Sequence, residues 1–510
     1  MGKWTRWTAC GALLCAACDA EAPQGRPGAG PDTRSVVGLR AVEWRSLGGG
    51  VDEVPEDLDR AVVQAQCPDG DGWTLLPGQG EPDGSFVIEG LPDGPCWIRI
   101  DRWSGGEEPP RNEYLWTDAA TIDLVSARAM RRNVHVPAAS TKLVIEASGL
   151  EPWQPGVHEI GTVAPNVGFF QYNTADFPGS VDGMPAAGDT QVAALTYDLA
   201  QLSGFLLDAE AGDRLSVTQW ATRENERGIA YSAPVRGFES AALTLREGET
   251  LAVEGTFAAL PEATYRVHWA IPSFDALAPA LHARAVPFAR GFALQAARGN
   301  GAAEWLDDTL PTEALVLEDP EVFATDRVVD LGEFPLGAPY GADALFDWYA
   351  TFFATTLPWP DGTPTDLFLA VAQYGDEFPG PDTPVRPRVG PVRSIRIGGL
   401  PADRALRGVG LTPEVAWDPP ATGEPTSYEV QVIEPGFEAE LGGFWRTAAK
   451  LLVPADVTTV RLPEDVLREG GHYALLVRAV ASAGQQVRVA PLRHALPHAW
   501  AEALTETFQP

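Results

Sequence analysis

The residues able to do chemistry are plentiful here, but their spacing is unhelpful. Of seven His, only His494 and His498 stand four apart, and Pro497 breaks the helix that would align them. His158-Glu159 and His268 read as structural or exposed groups. The chain carries no His-Glu-x-x-His, Gly-x-Ser-x-Gly, Ser-x-x-Lys or phosphate loop. Asp69 and Asp71 in Cys-Pro-Asp-Gly-Asp-Gly-Trp suggest calcium, but Trp73 stands where a calcium loop needs its next oxygen and no Glu closes the loop. With 70 acidic residues, carboxylate pairs carry no information. The expectation is no metal, no cofactor and no motif-borne catalytic residue. A site assembled from distant residues of 138–390 is the alternative.

Cysteine is the more informative type. The five stand at positions 10, 15, 18, 67 and 96. Lys3 and Arg6 precede an apolar stretch from Thr8 to Ala17, too short to span a bilayer but suited to the core of an export signal. No later run approaches 18 apolar residues. Leu14-Cys15-Ala16-Ala17-Cys18 resembles a bacterial lipobox, in which cleavage before the last Cys leaves it to carry lipid. Cys15 departs from that pattern, where Leu is usual. The other reading is ordinary cleavage after Ala22, behind Ala20-Glu21-Ala22. The resemblance implies lipid on Cys18 and a membrane-anchored protein of the cell envelope. Residues 1–17 are then the signal peptide. Residues 18–34, rich in Gly, Pro and Ala, are a flexible tether.

Export leaves Cys67 and Cys96 as the remaining pair in an oxidising compartment. Val63, Ala65 and Cys67 share one strand face, as do Cys96, Ile98 and Ile100, so both thiols point to the apolar side. A disulfide is expected, two buried free thiols being the alternative.

The elements that would hold these residues are strands. Gly (52) and Pro (45) punctuate short apolar runs without a fixed period, the pattern of a turn-rich all-β chain. At 510 residues the chain is too long for one core. Its 45% hydrophobic and 21% charged residues fit folded material. A net charge of −33 repels phosphate backbones, so nucleic acid is excluded as a partner.

Residues 35–137 offer strands at 35–44, 61–67, 85–89 and 96–102, separated by turns such as Pro82-Asp83-Gly84. Asp83 to Ile100 resembles the carboxypeptidase regulatory-like family, a small sandwich related in shape to transthyretin, with Cys96 in place of the usual Tyr. That family is an accessory module and implies no peptidase. Residues 138–390 show period-2 runs, such as Leu143, Ile145 and Ala147, or Tyr265, Val267 and Trp269, and match no family we know. One or two sandwiches are expected there. Leu195, Leu199, Leu202 and Leu206 fit a helix, as do Leu345, Trp348, Phe352 and Thr356 before Pro358.

Residues 391–510 resemble a fibronectin type III domain. Trp417 matches its buried second-strand Trp, Tyr428 the aromatic of the third strand, and Leu462 and Tyr473 the residues before and within the sixth. Large rings suit a two-sheet core about 10 Å thick.

Five of the 16 Trp fall between Trp44 and Trp116. Trp97 alternates out of phase with Cys96 and Ile98. It is either exposed, where it could stack on sugar rings, or packed with Trp44, Trp73, Trp103 and Trp116 at domain contacts. The sequence therefore predicts an all-β chain of tandem antiparallel β-sandwiches. It reads as a non-enzymatic envelope lipoprotein with a binding or structural role, its ligand a carbohydrate or a protein. The rival is a secreted hydrolase acting on polysaccharide or peptide, with its site in 138–390.

Overall fold

The computed structural model describes residues 33–46, 50–70, 72–101, 112–173, 181–202, 204–296, 312–317, 328–338, 345–375, 383–438 and 442–510. Cys18, Trp103, the signal segment and residues 18–32 of the expected tether lie outside them, while Arg34, the last residue given to the tether, opens the first strand. Strands dominate, and the helical elements among these residues are three short pieces, the longest Ile271–Asp275.

The first unit is a small two-sheet sandwich. Arg34–Arg45 pairs with Val51–Pro55, with Ser85–Leu91 and, in parallel, with Thr121–Arg128. Val63–Asp69 pairs with Gly72–Gly80 and with Cys96–Ile100, which leads on to Asn112–Thr117. Gly72–Gly80 crosses between the sheets, because its far end also pairs with Ser85–Leu91. Apolar side chains at alternate positions fill the gap, among them Val36, Ala65, Ile88, Ile98 and Ile122.

Residues 138–390 divide at about 260 into two packed layers-of-sheet. In the first, Val181–Asp182, Gln191–Asp198, Lys142–Ser148 and Thr250–Thr256 form one sheet, its last pair parallel. It faces the sheet of Phe169–Asn173, His158–Ala164, Ser216–Glu224 and Ala230–Glu239. Leu143, Ile145, Leu195, Val217 and Phe257 make a separate core between them. In the second, the hairpin-like pair Glu262–Ala270 and Val328–Gly337 covers a sheet of Thr312–Leu317, Val286–Ala296, Leu345–Pro358 and Pro364–Gly375.

Both stretches that fit a helix by spacing depart from that expectation. Leu195 lies in the strand Gln191–Asp198, after which the Asp198 carboxylate accepts the N–H groups of Thr141 and Ala200 and turns the chain. Leu345–Pro358 is a 14-residue strand buried on both faces over its first half. Double burial hides the period of 2, and its run of Thr and Phe favours the pleated state.

The fourth unit, from about residue 391, is a sandwich of Arg393–Ile397, Glu414–Asp418 and Thr459–Arg461 over Gly442–Pro454, Ser427–Glu438, Ala474–Ser482 and His498–Leu504.

The units are joined by sheet, not merely adjacent. Ala230–Glu239 pairs with Thr312–Leu317, Pro364–Gly375 with His498–Leu504, and Gly442–Pro454 runs parallel to Asn112–Thr117. One hydrogen-bonded ladder therefore passes through all four units without closing into a ring. Asn112–Thr117 carries the first unit onto the edge of the fourth, so the ends of the chain's folded part are packed together.

Candidate functional site

Cys67 and Cys96 form a disulfide with Cα atoms 4.4 Å apart, both fully buried. The register that sets Ala65 opposite Ile98 and Gln66 opposite Trp97, extended by one, sets Cys67 opposite Cys96. Directly opposed residues of antiparallel strands share a face, and the short Cα distance is that of a pair without mutual hydrogen bonds.

Trp97 takes the packed one of its two readings. It is not exposed but fully buried, and its indole N–H donates to the Arg461 carbonyl at 2.8 Å. Its face of the strand looks into the fourth unit. There the Asp465 carboxylate accepts from Gln66 Nε2 at 2.8 Å, from the Tyr114 hydroxyl at 2.6 Å and from Arg99. Trp116 packs on Trp97, and Arg461 stacks over Trp73. Trp44 stacks under Arg128. These rings are joints between elements, the second of the two readings that phase alone left open.

In the fourth unit Trp417, Tyr428, Leu462 and Tyr473 are all 2% exposed or less. Trp417 meets Tyr428 edge to face at 5.2 Å, and the Tyr473 hydroxyl accepts the Arg468 N–H at 3.0 Å.

A hydrolase needs converging acids or a base in an open cleft. The larger cleft, about 900 Å³, lies between the first two units and includes Trp44, Arg132, His135, Arg246 and Glu247. Three of its four acids are engaged in structure, and the fourth, Glu210, is exposed. Glu247 accepts the N–H groups of Ala138 and Ala139, Asp208 accepts that of Glu210, and Asp52 faces Arg132 at 3.8 Å.

A second cleft, about 560 Å³, lies between the third and fourth units, with His282 in its wall. His282 sits between a hydroxyl and a carboxylate, within hydrogen-bond distance of the first and, through Nε2, only within ion-pair distance of the second. Its Nδ1 receives the Arg284 N–H at 3.3 Å and lies 2.8 Å from the Thr355 hydroxyl. Nδ1 is thus the acceptor, the proton sits on Nε2, and Nε2 faces Glu506 at 3.4 Å. Hydroxyl to imidazole to carboxylate is the polarity of a nucleophilic triad. The surroundings oppose that use. Thr355 is 4% exposed and outside the cleft wall. Burial lowers the His282 pKa, which keeps the ring neutral. The chain joins a strand of the third unit to the C-terminal segment of the fourth.

Asp347 is the other buried acid of note. It accepts the Tyr265 hydroxyl at 2.8 Å, with Tyr349 packed beside it. Burial pushes its carboxyl up to about 6, against the opposing pull of that hydrogen bond and of Arg388.

The residues that sequence reasoning missed lie on the outer face of the third sheet. Trp348 is paired with Tyr374 across the strands, and Ala372 with Trp500. By strand alternation the three rings share the face opposite to Tyr349, Val371 and Ala501, which are core. Ring centroids run 6.5 Å from Trp348 to Tyr374 and 5.8 Å from Tyr374 to Trp500, at interplanar angles of 32° and 35°. All three are half-buried. The sequence signal for this row was split among positions 348, 374 and 500, and nothing local links them.

No family model and no curated protein matches the chain. Solved structures that align with it include the FN1–FN3 domains of chicken CNTN1, at 8% identity over 93% of this chain and 100% of that one, TM-score 0.14. A Streptococcal ancillary pilin aligns at 8% identity over 66% of this chain and 95% of its own, TM-score 0.12. The Bacillus cereus major pilin subunit BcpA aligns at 12% identity over 66% and 95%, TM-score 0.15. Scores this low bear on neither its architecture nor its role.

Proposed function

We propose that this chain is a non-enzymatic envelope lipoprotein, held to a membrane through lipid on Cys18 and serving to bind or to space. The observation that carries the reading is the joining of the units into one ladder, with the buried Trp97 at the joint of the first and fourth units. A stiff, folded body on a Gly- and Pro-rich tether suits display away from a surface. The regulatory-like reading of residues 35–137 and the fibronectin type III reading of 391–510 belong to the same proposal, as accessory modules. No helix among the described residues is long and apolar enough to cross a membrane, so anchoring rests on the lipobox-like segment.

Several acyl chains, each worth about 0.8 kcal/mol per buried CH₂, hold a protein firmly on a bilayer. Cys18→Ser is expected to move the protein from the membrane to the soluble fraction. A variant that stays with the membrane would remove the anchor from the account.

The rival reading, a secreted hydrolase, is favoured by one observation, the Thr355–His282–Glu506 chain. It requires Thr355 to reach a substrate. A serine-hydrolase probe that labels wild type but not Thr355→Ala would support it. Absence of labelling is expected.

A further inference from the structure

We infer that the outer face carrying Trp348, Tyr374 and Trp500 is a binding platform for a neutral polysaccharide. The inference rests on the non-enzymatic binding reading above and supplies its ligand class.

The face is built flat. On the two strands that carry Trp348 and Tyr374 the neighbours on this face are small, Ala350, Ala370 and Ala372, while on the third strand His498 lies opposite Tyr374 and packs on the Trp500 ring at 5.6 Å, with Arg478 over that ring. Gly291 lies opposite Ala350 on the next strand, and a Cβ there would come 2.7 Å from Cζ3 of Trp348. Only Gly at 291 lets the indole lie down across the sheet. The three rings then make a gently curving row over three consecutive strands. Ring-to-ring steps of 6.5 and 5.8 Å are comparable to the span of one sugar ring. Pyranose rings present apolar C–H faces, and flat aromatic rings are their natural counterpart.

The electrostatics select a neutral ligand. Beside Trp500 runs a ladder in which Lys450 contacts Glu429 at 2.7 Å, Arg478 contacts Glu429 at 3.4 Å, and Arg478 contacts Glu502 at 2.8 Å. Glu502 also accepts the Ala370 N–H. The charges along this edge compensate one another, while the molecule as a whole carries −33. An anionic polymer is repelled by the molecule. A neutral glycan meets polar groups at the rim and no unpaired charge. A protein partner fits less well, because interface anchors insert into pockets and the floor between Trp348 and Tyr374 is made by small side chains. Ala127 and Ala129, which pack with Phe346, Leu496 and Tyr374, border the row on one side at its middle ring.

The test uses the full-length Cys18→Ser chain, retained on or mixed with cellulose, chitin, xylan and dextran, with alginate as the anionic comparison. Wild-type surface residues should give binding to at least one neutral glycan and a change in Trp fluorescence. Trp348→Ala and Trp500→Ala should each weaken binding about tenfold or more. Gly291→Ala should weaken it with every ring still present, and Trp348→Phe, which spares the fold, should bind in between. Phe368→Ala, at an exposed ring outside the row, should bind as wild type. No retention on any neutral glycan, retention on alginate alone, or binding untouched by the ring variants would overturn the platform and leave the non-enzymatic reading standing. Release of shortened sugars would instead overturn that reading.

Discussion

Asp347 is where single-residue physics gives a sharp expectation. Its carboxyl titrates near 6 in the folded protein, above the ordinary carboxylate range. The folded state therefore holds this proton more tightly than the unfolded chain does. Its contribution is fully present below about pH 4 and is lost as pH rises toward 6, an effect of about 3 kcal/mol. Asp347→Asn keeps an oxygen for the Tyr265 hydroxyl and removes the charge. The variant should melt higher than wild type at pH 7.5 and show a flatter dependence of Tm on pH between 4 and 6. Equal slopes would mean that Asp347 is solvated. Trp417 gives the complementary case. Truncating a ring 2% exposed should cost about 3–5 kcal/mol, read as a lowered denaturation midpoint of Trp417→Ala. Trp417 was legible because its neighbours form a recognisable string. The exposure of Trp97 was not, because strand phase says which face a ring occupies and not what covers that face.

At the scale of elements, pairing was readable where strands were covered on one side only. Cys67 and Cys96 were placed on the core face by alternation, and the disulfide closes a loop of sequence separation 29. Its loss should cost about 3–4 kcal/mol. A urea titration with and without reductant checks this: the reduced protein should unfold first in the unit holding residues 34–128, and coincident curves would count against the bond. Leu345–Pro358 was misread because burial on both faces erases the alternation that identifies a strand. Gly72–Gly80 escaped notice because three Gly and a Pro mask a strand that switches sheets. The joint through Asp465 was out of reach of any local reading, since Gln66 and Tyr114 lie some 350 to 400 positions away. Asp465→Ala leaves the buried Tyr114 hydroxyl without its acceptor and removes one partner of Arg99, and should raise proteolysis between the first and fourth units, while Asp465→Asn should do so less.

Taken whole, the described residues hold three main cores. That of Leu143, Ile145, Leu195 and Phe257 and that of Val36, Ala65 and Ile88 are each separate, whereas the third and fourth units share one continuous core that also takes in Trp97, Tyr114 and Trp116. Calorimetry should resolve a transition for 138–260 apart from a larger one, and Leu195→Ala should lower only the former. A single transition lowered by that variant would mean full coupling. Composition indicated an all-β multidomain chain, but not that its ends meet, because that depends on edge strands finding each other across the whole sequence. In the proposed reading the same ladder serves display from a membrane anchor. The most direct measurement is the mass of the N-terminal peptide of the mature protein isolated from cells. The account predicts a peptide that begins at Cys18 and carries acyl chains, recovered from the membrane fraction. An unmodified peptide beginning after Ala22, recovered from the soluble fraction, would contradict it.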